Sequence, residues 1–96
     1  MYYDNPRVEI HRAARAHGVR DADIRHAAAR PVVVADIDPD ADPPKLFVIG
    51  PDTAGNLLEL VMLILIDDRL LAIHAMPLRR AYYRLLPNDV GGFHAN

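Results

Sequence analysis

Residues 57–66 read LLELVMLILI, ten positions that are apolar at both parities apart from Glu59. Neighbouring side chains of a strand point to opposite faces, so a run apolar on both belongs in the middle of a sheet, covered on each side by helices or by a partner. It has about half the length of a membrane-crossing helix. Other strand-like segments flank it: the β-branched run Val32, Val33 and Val34, residues 45–49 (KLFVI) alternating around Phe47, and residues 69–76 (RLLAIHAM). Asp67 and Asp68 supply a tight turn that makes the last two strands a hairpin. PDTAGN at 51–56 supplies another turn, with Gly55 able to take a positive φ. Four strands in succession predict an antiparallel meander.

The segments outside the sheet read as helical. Asn5 before Pro6 is a helix start, and the helix is expected to run to about His17, where Gly18 can adopt the left-handed conformation that ends it. Asp21 caps a second helix over 22–29, with Asp23 in its first turn, and Arg30 before Pro31 ends it. Both are alanine-rich, and small side chains let helices lie close to a sheet. Pro77 opens a third helix over 78–86 (LRRAYYRLL), with Leu78, Tyr82 and Leu85 on one face and Pro87 as its stop. Residues 88–96 are glycine-containing and expected to be mobile. The expected fold class is α+β: two N-terminal helices, a four-stranded antiparallel meander sheet and a C-terminal helix.

At 96 residues there is room for one domain, 1–96. The chain contains neither cysteine nor serine, so disulfides, thiolate metal sites and Cys or Ser nucleophiles are excluded. The first ten residues contain no apolar leader, which points to the cytoplasm. No phosphate-binding glycine loop or nucleophile elbow occurs. His11 and His17 are six apart, wrong for two ligands on one helical face, and the aspartates of 36–42 lack the pattern of a calcium loop. No metal or cofactor is expected.

Charge is unevenly distributed. Residues 1–35 carry +2, residues 36–68 carry −7 with Lys45 their one cation, and residues 69–96 carry +3. If the two ends meet, one face is positive. Arg79 and Arg80 fall in the first turn of the expected last helix, where the dipole disfavours cations by about 0.3–1 kcal/mol each. A bound anion would remove that conflict; a merely solvated basic face is the alternative. Arg84 and Tyr83 continue the exposed side, four residues on from Arg80 and Arg79 respectively. In the last strand Leu71, Ile73 and Ala75 read as core-facing, which puts Ala72, His74 and Met76 on the opposite face. His74 then stands beside the basic helix as a candidate general acid or base or phosphate ligand. The alternative is a partly buried histidine with one hydrogen bond.

The order of these pieces resembles a known family: two short helices joined by His17, Gly18 and Val19, an acidic loop, the stretch IGPDTAGNLLELV, a hairpin and then arginines opening a helix. It is similar to the BrnT-like toxins of bacterial type II toxin–antitoxin systems, over residues 8–86. Where that family has a lysine before HGV this chain has Ala16, and the family's glutamate on the last helix is missing. The resemblance implies a RelE-type fold and an endoribonuclease toxin that cleaves mRNA. It also implies a cognate antitoxin as partner, a small DNA-binding protein; the expected assembly is a homodimer or a toxin–antitoxin hetero-oligomer, with no membrane. Carried over, Arg79 and Arg80 neutralise the transition-state charge and Tyr83 positions a base or phosphate. Lys45, Arg84 and Tyr82 contact RNA, and His74 is added from its own position as acid/base. The competing class is a non-catalytic module that dimerises or pairs with a partner chain through its apolar sheet.

Overall fold

The computed structural model describes residues 8–87. Five strands build one mixed sheet: β1 (Val8–Ile10), β2 (Val33–Asp38), β3 (Lys45–Pro51), β4 (Leu57–Ile64) and β5 (Leu70–Pro77). Their spatial order is β1-β5-β4-β3-β2, with β1 parallel to β5 and the other pairs antiparallel. One α-helix, α1 (Asp21–Ala29), packs on β3 and β4, and 3₁₀ segments cover Arg12–Arg15, Ile66–Asp68 and Arg80–Leu85. The arrangement is a small α+β fold. The two N-terminal helices, all-antiparallel four-stranded sheet and C-terminal helix of RelE type expected above are not what the chain adopts.

The expected first helix gives way to a strand. Its start at Asn5 and Pro6 lies outside the described residues, as does the tail expected to be mobile. Val8, Glu9 and Ile10 lie opposite Leu70, Leu71 and Ala72. The His11 N–H donates to the Ala72 carbonyl at 2.9 Å, and Arg69 pairs with Glu9 at 2.8 Å. An unfilled edge of β5 offers backbone partners that a short alternating V-E-I segment can use, and tertiary pairing outweighs the local helix signal. What remains of the helix is one 3₁₀ turn, capped by His11 Nδ1 accepting from the Ala13 N–H at 3.0 Å.

Helix α1 has Arg20 at its N-cap rather than Asp21. Arg15 takes the Asp21 carboxylate instead, donating through Nε and Nη2 at 2.9 and 2.8 Å. Asp23 faces the β3–β4 turn, accepting from the Thr53 backbone N–H at 2.9 Å and its hydroxyl at 2.7 Å. Its other oxygen accepts from Arg20 Nε at 2.9 Å. The helix crosses the sheet at Gly50, where an added Cβ would overlap the carbonyl oxygen of Ala27.

The third expected helix is reduced to the six 3₁₀ residues Arg80–Leu85. Arg79 is still extended, at φ −79° and ψ 147°, because its N–H is held by Glu59. Pro87 follows two residues after the segment ends, which leaves no room for a regular helix.

Strand β4 is central, as its composition demands, and the register sorts the two faces. Leu58, Leu60 and Met62 join Val48, Ala72 and Ala75 beneath Ile24, Ala27 and Ala28 of α1. On the other face Phe47, Ile49 and Leu78 form a smaller cluster, with Val61, Tyr82, Tyr83 and Leu85 packed on it. Fully burying an Ile, Leu or Met contributes about 1.5–3 kcal/mol, and Ile24, Ile49, Leu60 and Met62 are all in that state.

Candidate active site

The parity read for β5 holds for Ala75, His74 and Met76 and fails for Leu71, Ala72 and Ile73, because a bulge intervenes. Met62 lies opposite Ala72 and Val61 opposite His74, so Ile73 is an extra residue on β5. Leu70, Ala72 and Ala75 face α1, while Leu71 and Ile73 are only partly buried. Without the extra residue His74 would share the face of Ala72 and point under α1. With it, His74 joins Val61 and Glu59 on the side of the smaller cluster.

Glu59 is the centre of this site, and sequence reasoning took it merely as the break in an apolar run. Its carboxylate has no solvent exposure. The Arg79 backbone N–H donates to Oε1 at 3.0 Å. Arg79 Nε lies 3.1 Å from both carboxylate oxygens and Nη2 donates to Oε2 at 2.6 Å. His74 Nε2 is 3.0 Å from Oε2. Burial by itself pushes the Glu59 carboxyl up. The hydrogen bonds from the Arg79 side chain and backbone and from His74, with the charge of Arg79, outweigh it and hold the group below the usual carboxylate range. An ionised carboxylate only accepts, so His74 carries its proton on Nε2 and, when neutral, its lone pair on Nδ1.

Arg79 also lies over Tyr82, its guanidinium carbon 5.2 Å from the ring centroid, and Tyr82 packs on Phe47 with centroids 4.9 Å apart. These groups line an open groove of about 580 Å³. Its walls include Glu59, His74, Arg79 and Tyr82, with Arg84 and Asp36 among the others. Arg79 and Arg84 there balance Glu59 and Asp36, so the positive face foreseen from the chain ends does not line this groove. A volume of this size falls in the range of small-ligand sites, about 300–1,000 Å³.

Of the residues singled out from sequence, His74, Arg79, Tyr82 and Arg84 meet here. Arg80, Tyr83 and Lys45 do not line the groove. Arg80 is exposed at the start of the 3₁₀ segment, and Tyr83 is half-buried against the smaller cluster rather than presented to solvent. Lys45 stands at the start of β3 opposite Leu63 and Asp38. The two arginines do not converge on an anion at a helix start: no α-helix begins there, and Arg79 is bound to Glu59. Part of its guanidinium still faces outward, since its side chain is 51% exposed and Nη1 makes no hydrogen bond among the described residues. The signal that could have found Glu59 is a lone carboxylate in a central apolar strand, which requires cationic partners to be tolerated.

No group of three or more His, Asp or Glu side chains among the described residues is placed to hold a metal ion, and no helix there is long and apolar enough to cross a membrane. Comparison of the chain with family models, curated proteins and solved structures finds no match in any of the three.

Proposed function

We propose that the groove is the active site of a small metal-independent endoribonuclease, acting as the toxin of a toxin–antitoxin pair. The observation that carries the reading is the hydrogen bond from His74 to the buried Glu59 at 3.0 Å, on a wall shared with arginine and tyrosine. A buried carboxylate behind an imidazole selects its tautomer, orients it and stabilises the imidazolium that forms when the ring takes a proton. His74 is then the base that removes the ribose 2′-hydroxyl proton, and the oxygen attacks the adjacent phosphorus. Arg84 and the outward part of Arg79 offer charge to the phosphate, and Tyr82 offers a stacking surface for a base. The likeness of HGV, IGPDTAGNLLELV and the arginine-bearing C-terminal stretch to BrnT-like toxins supports the same chemistry, and supplies the partner: a small DNA-binding antitoxin.

The test is direct. Purified protein incubated with single-stranded RNA should yield 2′,3′-cyclic phosphate ends, and His74→Ala should slow this by about 10²-fold or more. Expression of the wild-type chain should arrest growth, and that of His74→Ala should not. Intact RNA after prolonged incubation with the wild type, together with normal growth, overturns the reading.

A second reading has its own observation. Val34 and Ile37 on the edge strand β2 are 57% and 50% exposed. An exposed apolar edge is what a strand-adding partner uses. Stable association with another chain in the absence of RNA cleavage would favour this module.

A further inference from the structure

Transphosphorylation of RNA moves two protons. One leaves the 2′-hydroxyl, the other must reach the departing 5′-oxygen, and an imidazole that has just taken the first does not supply the second in the same step. Within the groove His74 serves the first task, which leaves the second unassigned.

A second imidazole, outside the residues that line the groove, touches His74. The rings of His17 and His74 meet edge to face, with centroids 5.7 Å apart and planes at 76°. His17 is exposed, whereas the His74 side chain is only 27% exposed. The segment that carries His17 is pinned on both sides. Ala14 is fully buried in the cluster containing Ala72 and Ala75 of β5. Gly18 turns the chain at φ +77°, its N–H donating to the Arg15 carbonyl at 3.1 Å, and Arg15 is forked onto Asp21. His17 thus follows a braced segment packed on β5, and its ring reaches that of His74.

The two rings differ in what holds them. His74 is bound to Glu59, next to Arg79, whereas His17 makes no side-chain hydrogen bond among the described residues. The carboxylate fixes which nitrogen of His74 can face a substrate, whereas the His17 ring is open to solvent, so the two rings can take different positions on a bound phosphodiester.

We propose that His17 is the general acid of this site, which rests on the ribonuclease reading above. The O2′–P bond forms as the P–O5′ bond breaks. The 2′-hydroxyl proton passes to His74, the electron pair of the broken bond leaves on O5′, and His17 protonates that oxygen. The products are a 2′,3′-cyclic phosphate and a 5′-hydroxyl, and both rings return to their starting states by exchange with solvent.

The experiment compares two substrates with the full chain: a uridine-containing dinucleotide, whose alkoxide leaving group needs a proton, and uridine 3′-(4-nitrophenyl phosphate), whose phenolate leaves without one. His17→Ala should slow the dinucleotide about 10²-fold or more while leaving the aryl ester within about threefold of wild type. His74→Ala should slow both. Because His17 is exposed, its variant is expected to keep the wild-type thermal midpoint, which is checked alongside. Wild-type rates on the dinucleotide, or an equal loss on both substrates in a normally folded His17→Ala, overturn the acid role while the ribonuclease reading stands. A wild type that cleaves neither substrate and leaves single-stranded RNA intact, with normal growth on expression, overturns both.

Discussion

Glu59 and His74 are joined by a 3.0 Å hydrogen bond although the register sets Glu59 opposite Met76 and His74 opposite Val61. They are diagonal neighbours on one face of the hairpin, within the reach of long side chains. The bond exists because one extra residue, Ile73, has turned the histidine away from α1.

This pairing fixes the tautomer of His74. In nitrogen-15 spectra at alkaline pH the wild-type ring should show a protonated Nε2, and Glu59→Leu should show a mixture of both tautomers. A wild-type ring protonated on Nδ1 would mean that Glu59 does not orient it.

The same carboxylate has a structural cost when removed. Breaking a buried ion pair by deleting one partner costs about 3–5 kcal/mol. Glu59→Ala should approach the lower end, since the half-exposed Arg79 can turn to water. Glu59→Leu fills the space and should cost less than half as much. Urea midpoints of the two variants decide this, and equal losses would show that charge rather than volume dominates.

Acid should unfold the protein through two named carboxylates. Asp23 is held far below its usual range by hydrogen bonds from Arg20 and from the Thr53 amide and hydroxyl, and Glu59 is held down by Arg79 and His74. Each group binds its proton more readily in the unfolded chain than in the folded one. The stability they contribute is therefore present above the unfolded carboxylate range, near pH 4, and is lost as the pH falls below it. The urea midpoint should drop steeply below about pH 4, and Asp23→Asn should make that drop shallower.

Gly50→Ala should be destabilising for a reason unrelated to the site. Its Cβ would meet the Ala27 carbonyl oxygen, so α1 must lift from the sheet. Overpacking of this kind costs about 1–3 kcal/mol, and in a domain of this size each kcal/mol lowers Tm by about 4–8 °C. An unchanged Tm would show that the helix yields freely.

Arg84 is exposed and makes no ion pair among the described residues, so Arg84→Ala should leave Tm unchanged. If it contacts a phosphate, the slope of log affinity against log salt for single-stranded RNA should fall by about 0.7. An unaltered slope would remove Arg84 from the interface.

Much of the sheet was legible in the chain. A run apolar at both parities marked β4 as central, and turn residues marked its flanks, because burial and turn chemistry are written locally. The parallel strand β1 was not legible: residues 8–10 are too few to outweigh a helix signal unless the free edge of β5 is already known. The bulge at Ile73 likewise leaves no trace in RLLAIHAM, since it arises from the partner register, and it is Leu71 and Ala72, not His74 or Ala75, whose faces it reversed. Arg79 stood out in the sequence, but its partner Glu59 did not, because a single glutamate among ten apolar residues looks like an interruption until the cations across the sheet are in view.

Arg79 meets Glu59 through its main chain as well as its guanidinium, and the same carboxylate grips the imidazole of the neighbouring strand. Two walls of one recess therefore hang from a single hinge pin at the middle of the sheet. Replacing Glu59 frees the final segment and releases the ring together, so drift at that position cannot loosen one wall and leave the other in place.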